Sequence, residues 1–230
     1  MTSPSKEKPH YIRHRRRLKD RFIKAGLESF ADYEVLEFLL TFSIAQKDVK
    51  PIAKELIERF KSFQGVLDAP LEAVTSVPGI GEHSALLIKL AKACSDYYLR
   101  RKLRRSSVIS SPGDLLNYCK SAMAGQSDEQ FRIIYLNAKN EVLDDELLQE
   151  GTVDQSAVYP RKIIERALQQ KAVALILVHN HPSGNPDPSP HDRHLTTMLI
   201  QLSESLGLKI HDHIIIGRND YFSFRESGCM

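Results

Sequence analysis

The spacing of apolar residues changes along this chain and divides it into two parts. In the first hundred residues, apolar positions recur every three or four residues, which is the period of an amphipathic helix. This pattern predicts helices over 32–43 and 49–63, and a third that starts near Glu82 after a break at VPGIG, 77–81. A basic segment, RHRRRLKDRF at 13–22, also leads into a helix. The front part is therefore predicted to be all-helical.

Beyond Pro112 the pattern favours strands as well as helices. The segment VALILVHN at 173–180 is a short, continuous apolar run, which is typical of a strand buried on both faces. In chain order, this part is predicted to contain two strands within 130–154, a helix over 160–172, a strand over 173–180, a helix over 189–208, a strand over 209–217 and a further strand at 221–224. The sequence thus predicts an α+β protein whose sheet lies in its second part.

Composition places the chain among globular proteins. Hydrophobic residues make up 42% and charged residues 27%, and no apolar run reaches the roughly 18 residues of a membrane span. The first residues contain no apolar stretch of the secretory type. Cys94, Cys119 and Cys229 lie far apart without a C-x-x-C pair, which favours reduced thiols over disulfides. A cytoplasmic protein without a membrane partner is expected.

Charge is unevenly distributed, although the formal net charge is only +3. Residues 1–105 carry 21 Lys and Arg against 13 Asp and Glu, whereas residues 106–230 carry 11 against 16. Such an asymmetry suggests two modules with different partners. We expect a helical module over 1–98, a basic linker over 99–107 and a sheet-containing domain over 108–230.

The segment VPGIGEHSA at 77–85 has the form of a helix–hairpin–helix element, in which a G-x-G turn joins two helices. Backbone N–H groups at the start of the second helix, together with the helix dipole, can hold a DNA phosphate without reading sequence. Gly79 and Gly81 would form the turn, and Lys89 would add a phosphate contact. DNA is thus a candidate partner through residues 77–105. The alternative is an ordinary Pro-Gly turn that serves protein contacts.

The residues with the clearest chemistry lie in HNHPSGNPDPSPHDRH, 179–194. His179 and His181 end the predicted buried strand, where residues two apart point to the same face. Ser189 and Asp192, three residues apart at the start of a predicted helix, lie at neighbouring positions. Two neutral imidazoles and one carboxylate suit Zn²⁺. The fourth position is left for water, as in a catalytic rather than a structural zinc site.

Four more histidines lie in this part of the chain. His191 and His194 follow the loop on the predicted helix and are expected to be exposed. His211 and His213 form a second H-x-H on a strand. They are expected to support the zinc ligands or to form hydrogen bonds in the core, rather than to ligate the ion.

The spacing H-x-H-x7-S-x2-D is similar to the JAMM motif of the JAB/MPN metallohydrolases. The longer string GTVDQSAVYPRKIIERAL, ILVHNHPSGNPDPSPHD, GLKIHDHIIIG and YFSF resembles the bacterial RadC family. The resemblance covers nearly the whole chain. It implies a helix–hairpin–helix-like helical module followed by a JAB/MPN-like, cytidine-deaminase-like α/β sheet domain.

The resemblance also implies roles for individual residues. His179, His181 and Asp192 would be the zinc ligands. Ser189 would bond to the tetrahedral intermediate or orient the bound water. A glutamate at the start of an earlier strand would be the general acid/base.

The position that matches this glutamate is Glu129, just before the strand over 131–136. Glu146 and Glu150, on the next strand, are the alternatives. The carboxylate has to lie within hydrogen-bond reach of the water. In one departure from the family, Lys162 stands where a glutamate is usual, and a surface role is expected for it.

Two functions follow from these residues. The first is zinc-dependent hydrolysis of a peptide or isopeptide amide bond by an activated water, with a protein or peptide substrate and DNA-associated targets as one possibility. The alternative is a DNA repair or recombination accessory protein that binds DNA through the helical module. In that case the metal domain would be structural or would bind a partner.

Overall fold

The computed structural model describes residues 10–104, 112–151 and 159–230. The chain divides into a first unit up to Cys94 and a second unit that starts at Ser95. Among the described residues, no helix combines the length and the apolar composition that crossing a membrane requires.

The first unit is helical, as predicted. Its helices are α1 (His10–Ala25), α2 (Asp32–Leu40), α3 (Lys50–Phe60), α4 (Phe63–Asp68), α5 (Leu71–Thr75) and the first part of α6 (Glu82–Leu103), with a 3-10 turn at Leu27–Ser29. Fully buried leucine, isoleucine and valine side chains from these helices form its core. The helix predicted over 49–63 ends at Phe60, because Lys61 has a left-handed φ of 72°. Helix α4 then begins at Phe63, capped by the Ser62 hydroxyl, which accepts Gly65 N–H.

Helix α6 runs without interruption as far as Leu103 and so includes the first part of the predicted basic linker, 99–107. The segment 82–103 contains no glycine or proline that would end a helix. Leu103 is 1% exposed and belongs to the core of the second unit. The rest of the predicted linker, 105–107, lies outside the described residues.

The second unit is built on a five-stranded sheet. The strands are β1 (Glu129–Leu136), β2 (Val142–Gly151), β3 (Ala174–Asn180), β4 (Lys209–Ile216) and β5 (Tyr221–Ser223), in the order β2-β1-β3-β4-β5. The helices are α7 (Pro112–Met123), α8 (Pro160–Gln169) and α9 (Pro190–Glu204). Strands β3 and β4 are parallel and are joined through α9, whereas the other pairs are antiparallel. The predicted α+β class is confirmed.

Each face of the sheet has its own apolar core. On β3, Ile176 and Val178 pack in the cluster that contains α7, while Leu175 and Leu177 pack with α8 and α9 on the opposite face. Every residue of β3 is buried, as its continuous apolar run predicts. Helix α7 has no counterpart among the predicted elements, because SSPG at its start favours a turn, although its buried residues follow helical spacing.

The buried carboxylate of Asp145 on β2 bonds to the end of α6, to β1 and to α7. It accepts hydrogen bonds from Arg100 Nε at 2.5 Å, from Arg132 and from the Tyr118 hydroxyl. Burial alone would raise the pKa of Asp145, but these hydrogen bonds and positive charges bring it below its ordinary value.

Replacing Asp145 by asparagine is expected to lower the free energy of unfolding by about 3 kcal/mol, because the arginines lose a buried counter-charge. The wild-type contribution is present above the ordinary aspartate pKa of about 3.9 and is lost as the pH falls through the lowered pKa of the folded state. Urea unfolding measured at neutral and at acid pH checks both statements.

Asp144→Asn, at a carboxylate whose side chain is 34% exposed, is the control and should cost less than about 1 kcal/mol. Equal losses in the two variants would contradict the assignment.

Candidate metal centre

The two histidines of the H-x-H pair come together at the carboxyl end of β3. His179 is 1% exposed, and His181 directly follows the strand. Their Nε2 atoms lie 3.1 Å apart. The ring of His181 is fixed by a hydrogen bond at Nδ1, which lies 2.8 Å from the carbonyl oxygen of Asn185. Since a carbonyl only accepts, Nδ1 of His181 carries a proton, and its Nε2 faces His179.

The start of α9 brings Asp192 to the same point. Ser189 is the N-cap of α9, and its hydroxyl accepts Asp192 N–H at 3.2 Å. In return, Asp192 Oδ2 accepts Ser189 N–H at 2.8 Å and the Ser189 hydroxyl at 2.6 Å. This capping box fixes the carboxylate, so that Oδ1 lies 3.3 Å from His179 Nε2 and Oδ2 lies 3.6 Å from His181 Nε2.

These separations fit a single tetrahedral zinc ion. Nitrogen and carboxylate oxygen ligands lie about 2.0–2.2 Å from Zn²⁺, so two ligand atoms at a tetrahedral angle are about 3.3–3.5 Å apart. The three separations among His179, His181 and Asp192 are 3.1, 3.3 and 3.6 Å. The donor set of two imidazoles and one carboxylate also suits zinc, and three protein ligands leave a position for water.

Burial, hydrogen bonds and neighbouring charges shift the pKa values of all three side chains. Burial lowers the pKa of His179 to about 4, which keeps its imidazole neutral. The hydrogen bond to Asp192 raises the pKa of His181. Burial alone would raise the pKa of Asp192, but the neighbouring histidines and Ser189 hold it below its ordinary value, so the carboxylate is ionised.

Glu129 is the glutamate that the fold brings to these ligands. It is the first residue of β1, and the register that pairs Phe131 with His179 places it beside His181. The ligand atoms of Glu129, His179 and His181 all lie within 4.8 Å of one another. Burial raises the pKa of Glu129, which brings it closer to the range of a general base at neutral pH.

Of the two glutamates that are alternatives to Glu129, Glu146 bonds to other side chains. Glu146 accepts a hydrogen bond from the Tyr135 hydroxyl at 2.9 Å and pairs with Arg166 at 3.3 Å. The side chain of Glu150 lies outside the described residues.

Asn180, between the two histidines, ties β3 to the segment that carries Glu129. Its side-chain amide donates to Asp128 O at 3.1 Å, and its Oδ1 accepts Gln130 N–H at 2.8 Å. Asn180 is 1% exposed. It therefore bridges the backbone on both sides of Glu129, a role that no local feature of the sequence indicates.

The remaining histidines occupy three kinds of position. His191 and His194 are exposed on α9. His211 Nε2 lies 2.5 Å from Asn140 Oδ1. His213 is fully buried behind His179, with its Nε2 2.8 Å from His179 Nδ1. The hydroxyl of Thr196 on α9 contacts Nδ1 of His213. This threonine lies outside the motifs visible in the sequence.

The structure also locates Ser189 and Lys162. Ser189 is expected to bond to the reaction intermediate or to orient the bound water, and in the structure its hydroxyl donates to the Asp192 carboxylate. Lys162, at the position where the family usually has a glutamate, is exposed on α8.

In the first unit, residues 77–81 join α5 to α6, and packing requires a glycine at one of the two predicted glycine positions. Gly79 has a φ of 88°, and a Cβ there would lie 2.8 Å from Ile52 Cδ1. A Cβ at Gly81 would meet nothing within 4 Å. Lys89 Nζ donates to the carbonyl of Leu67 at 2.6 Å, so its ammonium already has a partner. The DNA contact predicted for Lys89 would use the remaining N–H groups of this ammonium.

The matches to known families agree with the fold and with the resemblance seen in the sequence. Residues 109–229 match the family described as the RadC-like JAB domain, and this range contains the sheet and the four converging side chains. Residues 10–86 match the family described as UPF0758 N-terminal, which covers most of the helical unit. The chain therefore belongs to the RadC family, with a RadC-like JAB domain in its second unit.

Proposed function

We propose that this chain is a zinc-dependent hydrolase that cleaves a peptide or isopeptide amide bond. The observation that carries the proposal is the convergence of His179, His181 and Asp192 at the separations of a tetrahedral zinc site, with a second carboxylate, that of Glu129, nearby. Sites with three protein ligands and one open position are typical of catalytic zinc.

Bound at these three side chains, Zn²⁺ would supply a Lewis acid that brings the pKa of water to about 7 and polarises a carbonyl oxygen. The protein supplies the proton transfers. Glu129 accepts a proton from the attacking water as its oxygen bonds to the amide carbon. Glu129 then gives a proton to the leaving nitrogen as the C–N bond breaks, which yields a carboxylic acid and an amine. Its raised pKa suits both transfers.

Ser189 and Asn180 contribute through other residues in this scheme. Ser189 holds the Asp192 carboxylate through two hydrogen bonds to Oδ2, which leaves Oδ1 towards His179. Asn180 fixes the backbone on both sides of Glu129. A direct contact of Ser189 with the reacting carbonyl remains a prediction.

The test is zinc-dependent cleavage by the full chain. Protein freed of metal by a chelator is titrated with Zn²⁺ and then incubated with a panel of peptides and of substrates joined through a lysine ε-amide. Mass spectrometry should detect cleavage only in the zinc-loaded protein. Asp192→Asn, which keeps the size of the side chain and removes its charge, should lose both zinc and cleavage. A folded wild type that binds no zinc at micromolar concentration would overturn the proposal.

A further inference from the structure

A chain of three hydrogen bonds lies behind His179, on the side away from the predicted ion. His179 Nδ1 is 2.8 Å from His213 Nε2, and His213 Nδ1 is 2.6 Å from the Thr196 hydroxyl. That hydroxyl donates to the backbone carbonyl of Asp192 at 2.6 Å. His213 on β4 and Thr196 on α9 are 0% and 1% exposed, so no water competes for these bonds.

The position of each proton in this series of hydrogen bonds follows from its last acceptor, the backbone carbonyl of Asp192. A backbone carbonyl can only accept, so the single hydroxyl proton of Thr196 points to Asp192 O. The Thr196 oxygen must then accept, which places a proton on Nδ1 of His213. His213 Nε2 is consequently an acceptor, and the proton between the two rings belongs to Nδ1 of His179. This leaves a lone pair on His179 Nε2.

The series of hydrogen bonds begins at one predicted ligand, His179, and ends at another, Asp192. His179 Nε2 faces Asp192 Oδ1 at 3.3 Å, and the carbonyl at which the chain ends belongs to the same Asp192. Two ligands on different elements, β3 and α9, are thus joined through residues that are not ligands. The other tautomer of His179 would place its Nδ1 lone pair opposite that of His213 Nε2. A flip of either ring would replace a bonded nitrogen by a carbon, which leaves a buried partner without its hydrogen bond.

We infer that Thr196 and His213 are positioning residues, which hold His179 as the Nδ1-protonated tautomer with its Nε2 lone pair directed at the ion before the ion binds. The inference rests on the proposed zinc site, and it adds residues outside the predicted motif. Loss of such an outer partner typically costs about tenfold to a hundredfold in metal affinity.

The test uses the full chain and two threonines that are neighbours on α9. Thr196→Val replaces the hydroxyl by a methyl group of similar size. It should raise the dissociation constant for Zn²⁺, measured against a competing chelator, by about tenfold to a hundredfold. Thr196→Ser keeps the hydroxyl and should restore wild-type affinity. Thr197→Val is the matched control, because Thr197 makes the same bond to the carbonyl four residues earlier, Arg193 O at 3.0 Å, but is exposed.

A second measurement needs no ion. In the metal-free wild type at neutral pH, ¹⁵N NMR of the histidine rings should show His179 and His213 each protonated at Nδ1 alone. In Thr196→Val, the ring signals of His213 and His179 should shift towards the other tautomer, and in Thr197→Val they should not.

The outcomes separate this inference from the proposed function. Nε2 protonation of His179 in the metal-free wild type, or wild-type zinc affinity in Thr196→Val, would overturn the role of Thr196 and His213 while the zinc site stands. A wild type that binds no zinc but shows the expected Nδ1 protons would overturn the proposed function and leave the hydrogen-bond chain intact. If Thr196→Val does not fold, the wild-type spectrum alone decides the tautomer.

Discussion

Replacing His179 and His181 together by alanine is expected to abolish zinc binding at micromolar concentrations, from one ion per chain to none. The two imidazoles supply two of the three protein ligands, and a single carboxylate cannot hold Zn²⁺ against water. We expect the dissociation constant to rise by about a thousandfold or more. Metal analysis of dialysed protein and a competitive zinc titration both measure this change, and circular dichroism verifies that the variant is folded.

The control for this experiment removes two histidines elsewhere. His83 and His194 are both exposed and lie outside the four converging side chains. A His83→Ala/His194→Ala variant should keep one zinc ion per chain with wild-type affinity. A His179→Ala/His181→Ala variant that retains its zinc would show that the ion is held elsewhere and would contradict the site.

Replacing Glu129 by glutamine is expected to reduce amide hydrolysis about a hundredfold to ten-thousandfold, with little change in zinc affinity. Glutamine has the size of glutamate and can still form hydrogen bonds, but it cannot take a proton from water and return it to the leaving amine. The predicted signature is therefore zinc retention with loss of turnover. Single-turnover cleavage and zinc titration on the same preparation measure the two quantities independently.

Glu146→Gln provides the comparison, because Glu146 is the described alternative on β2. Its carboxylate is bonded to the Tyr135 hydroxyl and paired with Arg166, so its loss should leave turnover unchanged. The opposite result, with activity lost in Glu146→Gln and kept in Glu129→Gln, would reassign the general base.

The local parts of the fold and site could be predicted from the sequence. The continuous apolar run of β3 identifies a buried strand, and the H-x-H at its end follows from the two-residue period of strands. The S-x-x-D spacing indicates a helix start because a side chain at the N-cap and one three residues later can bond to each other's backbone N–H. These inferences need only residues within a few positions of one another.

The parts that depend on long-range register could not be predicted from the same local patterns. The sequence resemblance indicates Glu129, but its position beside His181 depends on how β1 pairs with β3, more than 40 residues away in sequence. Thr196 lies in an ordinary helical stretch, and only the packing of α9 against β4 brings it to His213. Lys89 was predicted from charge alone, whereas its carbonyl partner on α4 is visible only in the folded unit.

Asn180 has a consequence for how the site can vary. Within the described parts of the chain, its side chain bonds to backbone atoms of Asp128 and Gln130, so substitutions of those two side chains leave both bonds available. The position of the Glu129 carboxylate is thus largely insulated from changes in its immediate neighbours. Asp128 is exposed and can be varied without loss of either bond, whereas Gln130 is buried and is expected to tolerate fewer changes. Asn180, by contrast, has to be carried along whenever the two histidines are transplanted to another scaffold.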